Sequence, residues 1–182
     1  ANGHGNADGA IEADSSTDSL LVWSINSPEN VDTRTVRGAE FAVQHLFSNT
    51  GFGVALNATF VEGDVEYDSE VYADQPVLPG LSNSANFQAF YEQDGLSVKA
   101  TYAWRDSCLI GLGQAQGTTA DMPPQYAKAF GQWDVAVNYD ITDNVTIFFE
   151  GVNLNNETEQ GYGRYEEQFL YARQYGPRYA LG

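Results

Sequence analysis

Apolar and polar residues alternate along three long segments of the chain. In 54–60 and 96–104 the apolar side chains fall on even positions, and in 133–141 they fall on odd positions, with mostly polar residues between them. A repeat of two residues is typical of β-strands with one apolar and one polar face. Because helical spacing is nowhere sustained, the sequence predicts an all-β chain.

Turn signals divide the chain into seven long strands that follow one another as an antiparallel up-and-down meander. Three connections are short and carry Asn, Asp or Gly, as tight hairpins require, and three are long. Residues 1–19 are small, polar and acidic and are interpreted as a loop or mobile segment, while 20–26 has the composition of an eighth strand. The predicted strands are 35–47, 53–64, 85–93, 96–106, 129–141, 145–154 and 167–181, with short connections at 48–52, 94–95 and 142–144.

Strand length and loop length together favour a membrane barrel. Several predicted strands exceed ten residues, and a tilted strand needs about 9–11 residues to cross a bilayer. Outer-membrane barrels also combine short turns at one end with long external loops at the other. We therefore predict that 20–182 forms part of a transmembrane β-barrel, with long external loops at 65–84, 107–128 and 155–166. A soluble sandwich also alternates and is the alternative.

The two faces of the predicted strands differ in chemistry. One face is polar and suits a water-filled lumen, whereas the other carries aromatic rings that suit the girdles at a membrane interface. The polar face comprises Glu40, Gln44, Lys99, Arg105, Gln132, Asp134, Asn138 and Asp140. The apolar face comprises Phe41, Phe47, Phe87, Tyr91, Tyr102, Trp104, Trp133 and Tyr139.

Composition narrows the function further. The chain has 25 acidic and 8 basic residues and a formal charge of −17, which argues against nucleic-acid binding because phosphates need Lys and Arg. A single cysteine, Cys108, excludes an internal disulfide and any cluster of cysteine ligands. No apolar run is long enough for a spanning helix, no signal peptide is apparent, and the first residue, Ala1, indicates processing, a cloning boundary or a fragment.

Several ordered motifs carry a resemblance to a known family. Taken together, they resemble the C-terminal barrel of TonB-dependent outer-membrane receptors, and most of all the large branch tied to carbohydrate uptake. The motifs are GQWD at 131–134, YDITDN at 139–144, FFEGVNLNNET at 148–158 and GPRYALG at 176–182, preceded by VRGAEFAVQ at 36–44 and FQAFYEQDGLSVKATYAWRDS at 87–107.

The resemblance implies a passive role in uptake. Such receptors have about 22 strands and an N-terminal plug, so we expect a piece of a receptor, truncated at both ends and lacking the plug and the TonB-contacting segment. Implied partners are the bilayer and lipopolysaccharide of a Gram-negative outer membrane, the rest of the barrel and plug, and TonB through the plug. The alternatives are an autonomous β-domain, either a small eight-stranded outer-membrane barrel or a soluble sugar-binding module, and, third, an enzyme of unknown class.

A run of alternating carboxylates begins at the end of the second predicted strand and continues into the loop after it. Like charges on one face of a strand repel unless a cation lies among them. The run therefore predicts either a rim that binds divalent cations or bridges lipopolysaccharide, or a solvated acidic loop, which is the favoured interpretation. The residues are Glu62, Asp64, Glu66, Asp68 and Glu70.

Other candidates point to ligand binding or to ordinary packing. Aromatic rings and amides in the long loops have the chemistry of sugar sites, although they also suit packing and solvation. We predict no catalytic residue, metal ligand or cofactor, since neither a nucleophile elbow nor a phosphate loop is present. The sugar candidates are Asn83, Asn86, Tyr126, Tyr162 and Tyr165; structural roles are expected for His45 and Cys108, and a solvated tail for Asp8, Glu12, Asp14 and Asp18.

Overall fold

The computed structural model describes residues 4–5, 11–12, 33–68, 70–71, 75, 77–116 and 120–182, of which 4–5, 11–12, 114–116 and 120–122 are described by their backbone. The chain divides into two units, Ala1–Val31 and Asp32–Gly182. In the first unit, strands β1 (His4–Gly5) and β2 (Ile11–Glu12) pair antiparallel. The predicted strand 20–26 and most of the acidic segment 1–19 lie outside the described residues.

The described part of the second unit contains the remaining thirteen strands. Across the described residues, no helix has the length and apolar character needed to cross a bilayer. The strands are β3 (Val36–Leu46), β4 (Phe52–Gly63), β5 (Ser84–Gln93), β6 (Leu96–Arg105), β7 (Cys108–Gly111), β8 (Gln114–Gln116), β9 (Ala120–Met122), β10 (Gln125–Ala127), β11 (Phe130–Thr142), β12 (Val145–Val152), β13 (Thr158–Tyr162), β14 (Phe169–Gln174) and β15 (Arg178–Leu181).

Seven strands form one antiparallel sheet, called the large sheet, in the order β15-β12-β11-β6-β5-β4-β3. Each strand pairs with the next of these strands along the chain, as a meander requires. Five of them, β3 to β6 and β11, are 10 to 13 residues long. The all-β antiparallel meander predicted from the sequence is therefore confirmed.

The register separates the side chains of the large sheet into the two predicted faces. Neighbours across one row of the apolar face are Val43, Leu56, Phe87, Tyr102 and Trp133. The adjoining row of the polar face consists of Gln44, Ala55, Gln88, Thr101 and Asp134. Because every strand keeps the same alternation, the sheet has one mainly apolar surface and one mainly polar surface, although Phe90 and Phe148 lie on the polar one.

Tight turns close three hairpins at one end of the large sheet. Asp94 and Gly95, between β5 and β6, have φ angles of 53° and 78°. A two-residue turn with both central residues at positive φ matches the twist of the strands, and Asp-Gly favours it. The longer turn between β3 and β4 also uses positive φ, at Asn49 and Gly51. The long connections all leave from the opposite end.

Four short strands form a second sheet, called the small sheet, in the order β14-β13-β10-β7. Along the chain, β7 follows β6, β10 precedes β11, β13 follows β12 and β14 precedes β15. The small sheet therefore repeats the order of the last four strands of the large sheet. A separate hairpin, β8-β9, lies between β7 and β10 in the chain.

The structure differs from the predicted elements mainly in the small sheet. The predicted strand 167–181 is split into β14 and β15, because Gly176 has a φ of 70° and Pro177 has no N–H to donate to a ladder. The predicted loop 107–128 contains β7 to β10, and 155–166 contains β13. These strands are too short for their alternation to stand out in the sequence.

The second unit has very little apolar core in its described part. Ala127 and Pro124 are its buried apolar side chains, whereas Phe41, Phe60 and Ile141 on the apolar face are 54%, 57% and 54% exposed. A soluble sandwich would cover this face with a second sheet. The large sheet instead presents its apolar face to the surroundings, which is what a wall in contact with lipid requires.

Candidate functional site

The side chain of Asn153 holds together the junction between the two sheets. It is 4% exposed, follows directly on β12, and has a φ of 57°, which Asn tolerates better than most residues. Its Oδ1 accepts the N–H of Glu157 at 2.7 Å, and its Nδ2 donates to the carbonyls of Glu157 and Gly176 at 3.1 and 3.4 Å. The buried side-chain amide of Asn153 thus links the segment after β12 to the segment before β15.

The same turn also forms hydrogen bonds with the first residues of β11, which precede the part of β11 that pairs with β12. The N–H of Asn153 donates to Oδ1 of Asp134 at 2.8 Å. Asn155 extends the ladder with its side chain, since its Oδ1 accepts the N–H of Trp133 at 3.0 Å and its Nδ2 donates to the carbonyl of Gly131 at 2.7 Å. We call residues 153–157 the Asn turn; it fixes the position of the small sheet relative to the large one.

Two tyrosines stack on neighbouring strands of the small sheet. The rings of Tyr126 in β10 and Tyr162 in β13 lie 5.0 Å apart and are nearly parallel, with an angle of 10°. Nζ of Lys128 lies 6.0 Å from the centre of the Tyr162 ring. Burial, followed by the charge of the neighbouring Tyr162 phenol, raises the pKa of Tyr126, and burial, followed by the charge of Glu166, raises the pKa of Tyr162.

A carboxylate between two guanidinium groups lies near the same junction. Glu159 in β13 is 3.9 Å from Nη2 of Arg105 and 3.7 Å from Nη1 of Arg173. Arg173 also lies 4.6 Å from the centre of the Tyr171 ring. The opposite charges of these partly exposed groups compensate one another across β6, β13 and β14. They therefore act as structural links of the small sheet.

A cleft of about 520 Å³ opens at the turn between β13 and β14. This volume lies within the range of small-molecule sites, about 300–1,000 Å³. Tyr165 is 54% exposed, and its hydroxyl donates to Oε1 of Glu70 at 2.9 Å. The cleft is lined by Pro123, Arg164, Tyr165, Glu167 and Gln168.

Comparison with known protein families identifies the chain. A sequence model described as TonB dependent receptor-like, beta-barrel, matches residues 4–154. The chain belongs to this family. The resemblance predicted from the sequence is therefore confirmed over most of the chain. A search of curated proteins and a search of solved structures each found no match.

Membership of the TonB-dependent receptor-like family sets the general function. The family comprises receptors and transporters of the outer membrane, and it is not enzymatic. Its barrels interact with the membrane and with TonB-type partners. Six of the seven strands of the large sheet, β3 to β6, β11 and β12, lie within the residues that match the family.

The predicted run of carboxylates is engaged in local hydrogen bonds. Oδ2 of Asp64 accepts the N–H of Thr35, Oδ1 of Asp68 accepts the N–H of Glu70, and Glu70 also meets Tyr165. Within the parts of the chain that the structure describes, no three His, Cys, Asp or Glu side chains come together as metal ligands. These bonds organise the loop that follows β4.

The predicted sugar candidates lie in different places. Only Tyr165 lines the cleft. Tyr126 and Tyr162 stack on each other, Oδ1 of Asn83 accepts the N–H of Val61, and Asn86 lies on the polar face of the large sheet. Four lining residues of the cleft were not predicted from the sequence. Three of them belong to the polar run that follows β13, and that run was the signal that could have identified them. The missed residues are Pro123, Arg164, Glu167 and Gln168.

Two further candidates have local roles. His45 lies on the apolar face, and its ring meets that of Phe47 edge-on with centres 4.7 Å apart. Sγ of Cys108 accepts a weak hydrogen bond from Nη1 of Arg105 at 3.9 Å. Asp8, Asp14 and Asp18 lie outside the described residues, and Glu12 is described by its backbone.

Proposed function

We propose that the chain is a sector of a TonB-dependent nutrient receptor, providing part of the barrel wall and external loops of a gated pore. The observation that carries this proposal is the two-faced large sheet. Its apolar face suits lipid, its polar face suits a water-filled lumen, and its loops are short at one end and elaborate at the other. On this proposal, the tight turns face the periplasm and the small sheet stands outside the cell.

Two edges of the large sheet support the role of a sector within a larger barrel. In the described residues β3 and β15 each pair on one side only. Unpaired N–H and C=O groups are costly in a bilayer, where no water can bond to them. We infer that other strands of the same receptor pair with β3 and β15 and close the barrel.

The partners follow from this position. The apolar face contacts the bilayer and lipopolysaccharide of a Gram-negative outer membrane, and the polar face lines the space for the plug domain. TonB acts through the plug, so this sector contributes shape and contacts rather than energy. The sector performs no chemistry on the nutrient and needs no cofactor.

A carbohydrate is the nutrient class that the exposed groups favour. The small sheet and its loops combine aromatic rings with amides and carboxylates, which suit the apolar C–H faces and the hydroxyls of sugars. Tyr165 is the exposed ring among the predicted candidates that reaches a cleft.

The test is the solution state of the full chain with and without detergent. Light scattering after size-exclusion chromatography gives the mass, and circular dichroism gives the β content. We expect a β-rich species that is monodisperse only in detergent, because the apolar face is uncovered. A cooperative monomer in plain buffer would overturn the proposal and favour a soluble sugar-binding module.

A further inference from the structure

We propose that Tyr126 and Tyr162 form a site of oxidative modification, at which a one-electron oxidant joins the two rings into a dityrosine cross-link. Once formed, the cross-link connects β10 to β13 covalently and reinforces the small sheet. This inference goes beyond the proposed function and does not depend on it, because it uses only contacts within the small sheet.

The two tyrosines face each other across neighbouring strands. Tyr126 in β10 and Tyr162 in β13 are directly opposed in the antiparallel register, and residues so placed have Cβ atoms about 4.5–5.5 Å apart. Their ring centres lie 5.0 Å apart, which is slightly more than the separation of two directly bonded rings. Among the ring pairs formed by described residues, only this one joins two tyrosines. A rotation of both rings toward an edge-to-edge arrangement therefore brings their carbon atoms together.

The contact between β10 and β13 is the shortest ladder of the small sheet. Two residue pairs form it, whereas β10 forms three pairs with β7, and β13 forms five with β14. The chain has one cysteine, so no disulfide within the chain reinforces this ladder. A bond between two phenol rings is the covalent link that these residues offer at the weakest contact of the sheet.

The coupling is balanced with hydrogen peroxide as the oxidant and a haem peroxidase as the acceptor of single electrons. Each phenol loses one electron and one proton and becomes a phenoxyl radical, which shares its unpaired electron with the ring carbons next to the C–O carbon. One such carbon of each ring forms the new C–C bond. The hydrogen atoms on those two carbons then move to the oxygens and restore both phenols. In total, two hydrogen atoms leave the chain, and one molecule of peroxide becomes two molecules of water.

The surroundings of the two rings allow this reaction. Both side chains are half-buried, so each keeps an exposed part from which an electron can leave. Burial raises the pKa of both phenols, so both stay neutral at physiological pH and do not repel each other. A radical on either ring has the other phenol beside it, and such proximity favours coupling within one chain over coupling between chains.

The experiment oxidises the full chain with a haem peroxidase and hydrogen peroxide, in the solvent in which circular dichroism shows it folded. A low concentration of the chain limits links between molecules. Dityrosine fluorescence gives the yield, and mass spectrometry of proteolytic peptides locates each link through a joined pair that has lost two hydrogen atoms. We expect the link between Tyr126 and Tyr162 to be at least about tenfold more abundant than any other, because these rings are already held together.

Three variants and one change of solvent serve as controls. Tyr126→Phe and Tyr162→Phe each keep a ring in the stack but remove one phenol, and each should lower the yield about tenfold. Tyr175→Phe removes a tyrosine that is 68% exposed and should leave the yield unchanged. Oxidation in concentrated urea should distribute the links among the other tyrosines, since unfolding separates the stacked pair.

Hydrogen exchange measures what the link does to the small sheet. Amides of β10 and β13 should exchange about tenfold more slowly in the linked chain, because the two strands can no longer separate freely. The modification site is overturned if the folded chain distributes its links evenly among the tyrosines, if Tyr126→Phe or Tyr162→Phe keeps the full yield, or if Tyr175→Phe loses as much as they do. Unchanged exchange in the linked chain would overturn the reinforcing role of the link.

Discussion

The large and small sheets are built by different means. Strands of 10 to 13 residues dominate the large sheet and are joined by regular main-chain ladders, with apolar side chains left exposed on one face. Strands of 3 to 6 residues form the small sheet, which depends on the Asn turn, the Tyr126–Tyr162 stack and the ion pairs of Glu159. The proposed function places the two sheets in different media: the apolar face of the large sheet in lipid, and the small sheet, with its links between side chains, in water.

The largest expected effect is a difference in stability between the same substitution on the two faces of the large sheet. Ala100 on β6 lies on the apolar face, between Ala89 and Val135. Ala103 on the same strand lies on the polar face, between Asn86 and Gln132. Ala100→Arg places a charge on the lipid face near the middle of the strand, which should cost about 2–4 kcal/mol. Urea unfolding in detergent or vesicles measures the loss.

Ala103→Arg is the matched control for that variant. The same charge enters the polar face, beside amides and water, so the free energy of unfolding should change by less than about 0.5 kcal/mol. Equal losses in both variants would show that the two faces meet the same medium, against the account.

The next effect tests the Asn turn that joins the sheets. Asn153→Ala removes three side-chain hydrogen bonds from a buried position and leaves the carbonyl of Gly176 and the N–H of Glu157 without that partner. We expect a loss of about 1–3 kcal/mol, the usual cost of orphaning buried polar groups. Hydrogen exchange should also quicken in β13 and β14 before it changes in β4 and β5.

Asn156→Ala controls for backbone strain in the same turn. Asn156 has a φ of 51°, similar to the 57° of Asn153, but it is exposed and makes one side-chain bond, at 3.3 Å, with Gln174. If both variants lose the same stability, the cost comes from the left-handed backbone and the buried bonds contribute little.

A smaller effect concerns the stacked tyrosines of the small sheet. The folded chain raises the pKa of Tyr126 and of Tyr162 above the ordinary 10.0, so it favours their neutral forms. The stability that they contribute is complete below about pH 10 and is lost as the pH rises through their raised pKa values. The test follows tyrosinate absorbance with pH in the unmodified chain, in Tyr126→Phe and in Tyr162→Phe. Subtracting each variant from the unmodified chain gives the titration of one phenol, and both phenols should titrate above pH 10. Titration of either phenol below pH 10 would contradict the packing.

The smallest effect concerns the ion pairs of Glu159. Both partners lie at 3.7–3.9 Å and all three side chains are partly exposed. Since such pairs are screened by water and salt, Glu159→Gln should cost less than about 1 kcal/mol. The difference from the unmodified chain should shrink in high salt, and a loss that is independent of salt would point to packing instead.

The sequence was sufficient to predict the large sheet because its signals are local. Alternation continues for seven to nine residues within β4, β6 and β11, and Asp94-Gly95 marks a hairpin without reference to distant residues. The small sheet escaped prediction because its strands are short and pair over long separations, as Tyr126 with Tyr162. Those two tyrosines, which the sequence offered as sugar candidates, stack on each other.

The cleft was predictable only in part for the same reason. Tyr165 was named from the sequence as a sugar candidate in a long loop, but the other lining residues come from the turn itself and from Pro123 in a distant segment. The bond from Tyr165 to Glu70 joins residues 95 positions apart. No pattern within a short stretch of sequence predicts such a contact.

The most direct test of the account is fluorescence quenching by brominated lipid. Trp104 and Trp133 both lie on the apolar face of the large sheet. A Trp23→Phe variant isolates their emission, and a further variant with Trp104→Phe, Trp133→Phe and Gln88→Trp places a single indole on the polar face. In vesicles of brominated phosphatidylcholine, we predict strong quenching of the native pair and weak quenching at position 88. Equal quenching of the two faces, or none at Trp104 and Trp133, would contradict the claim that the large sheet is a lipid-facing wall.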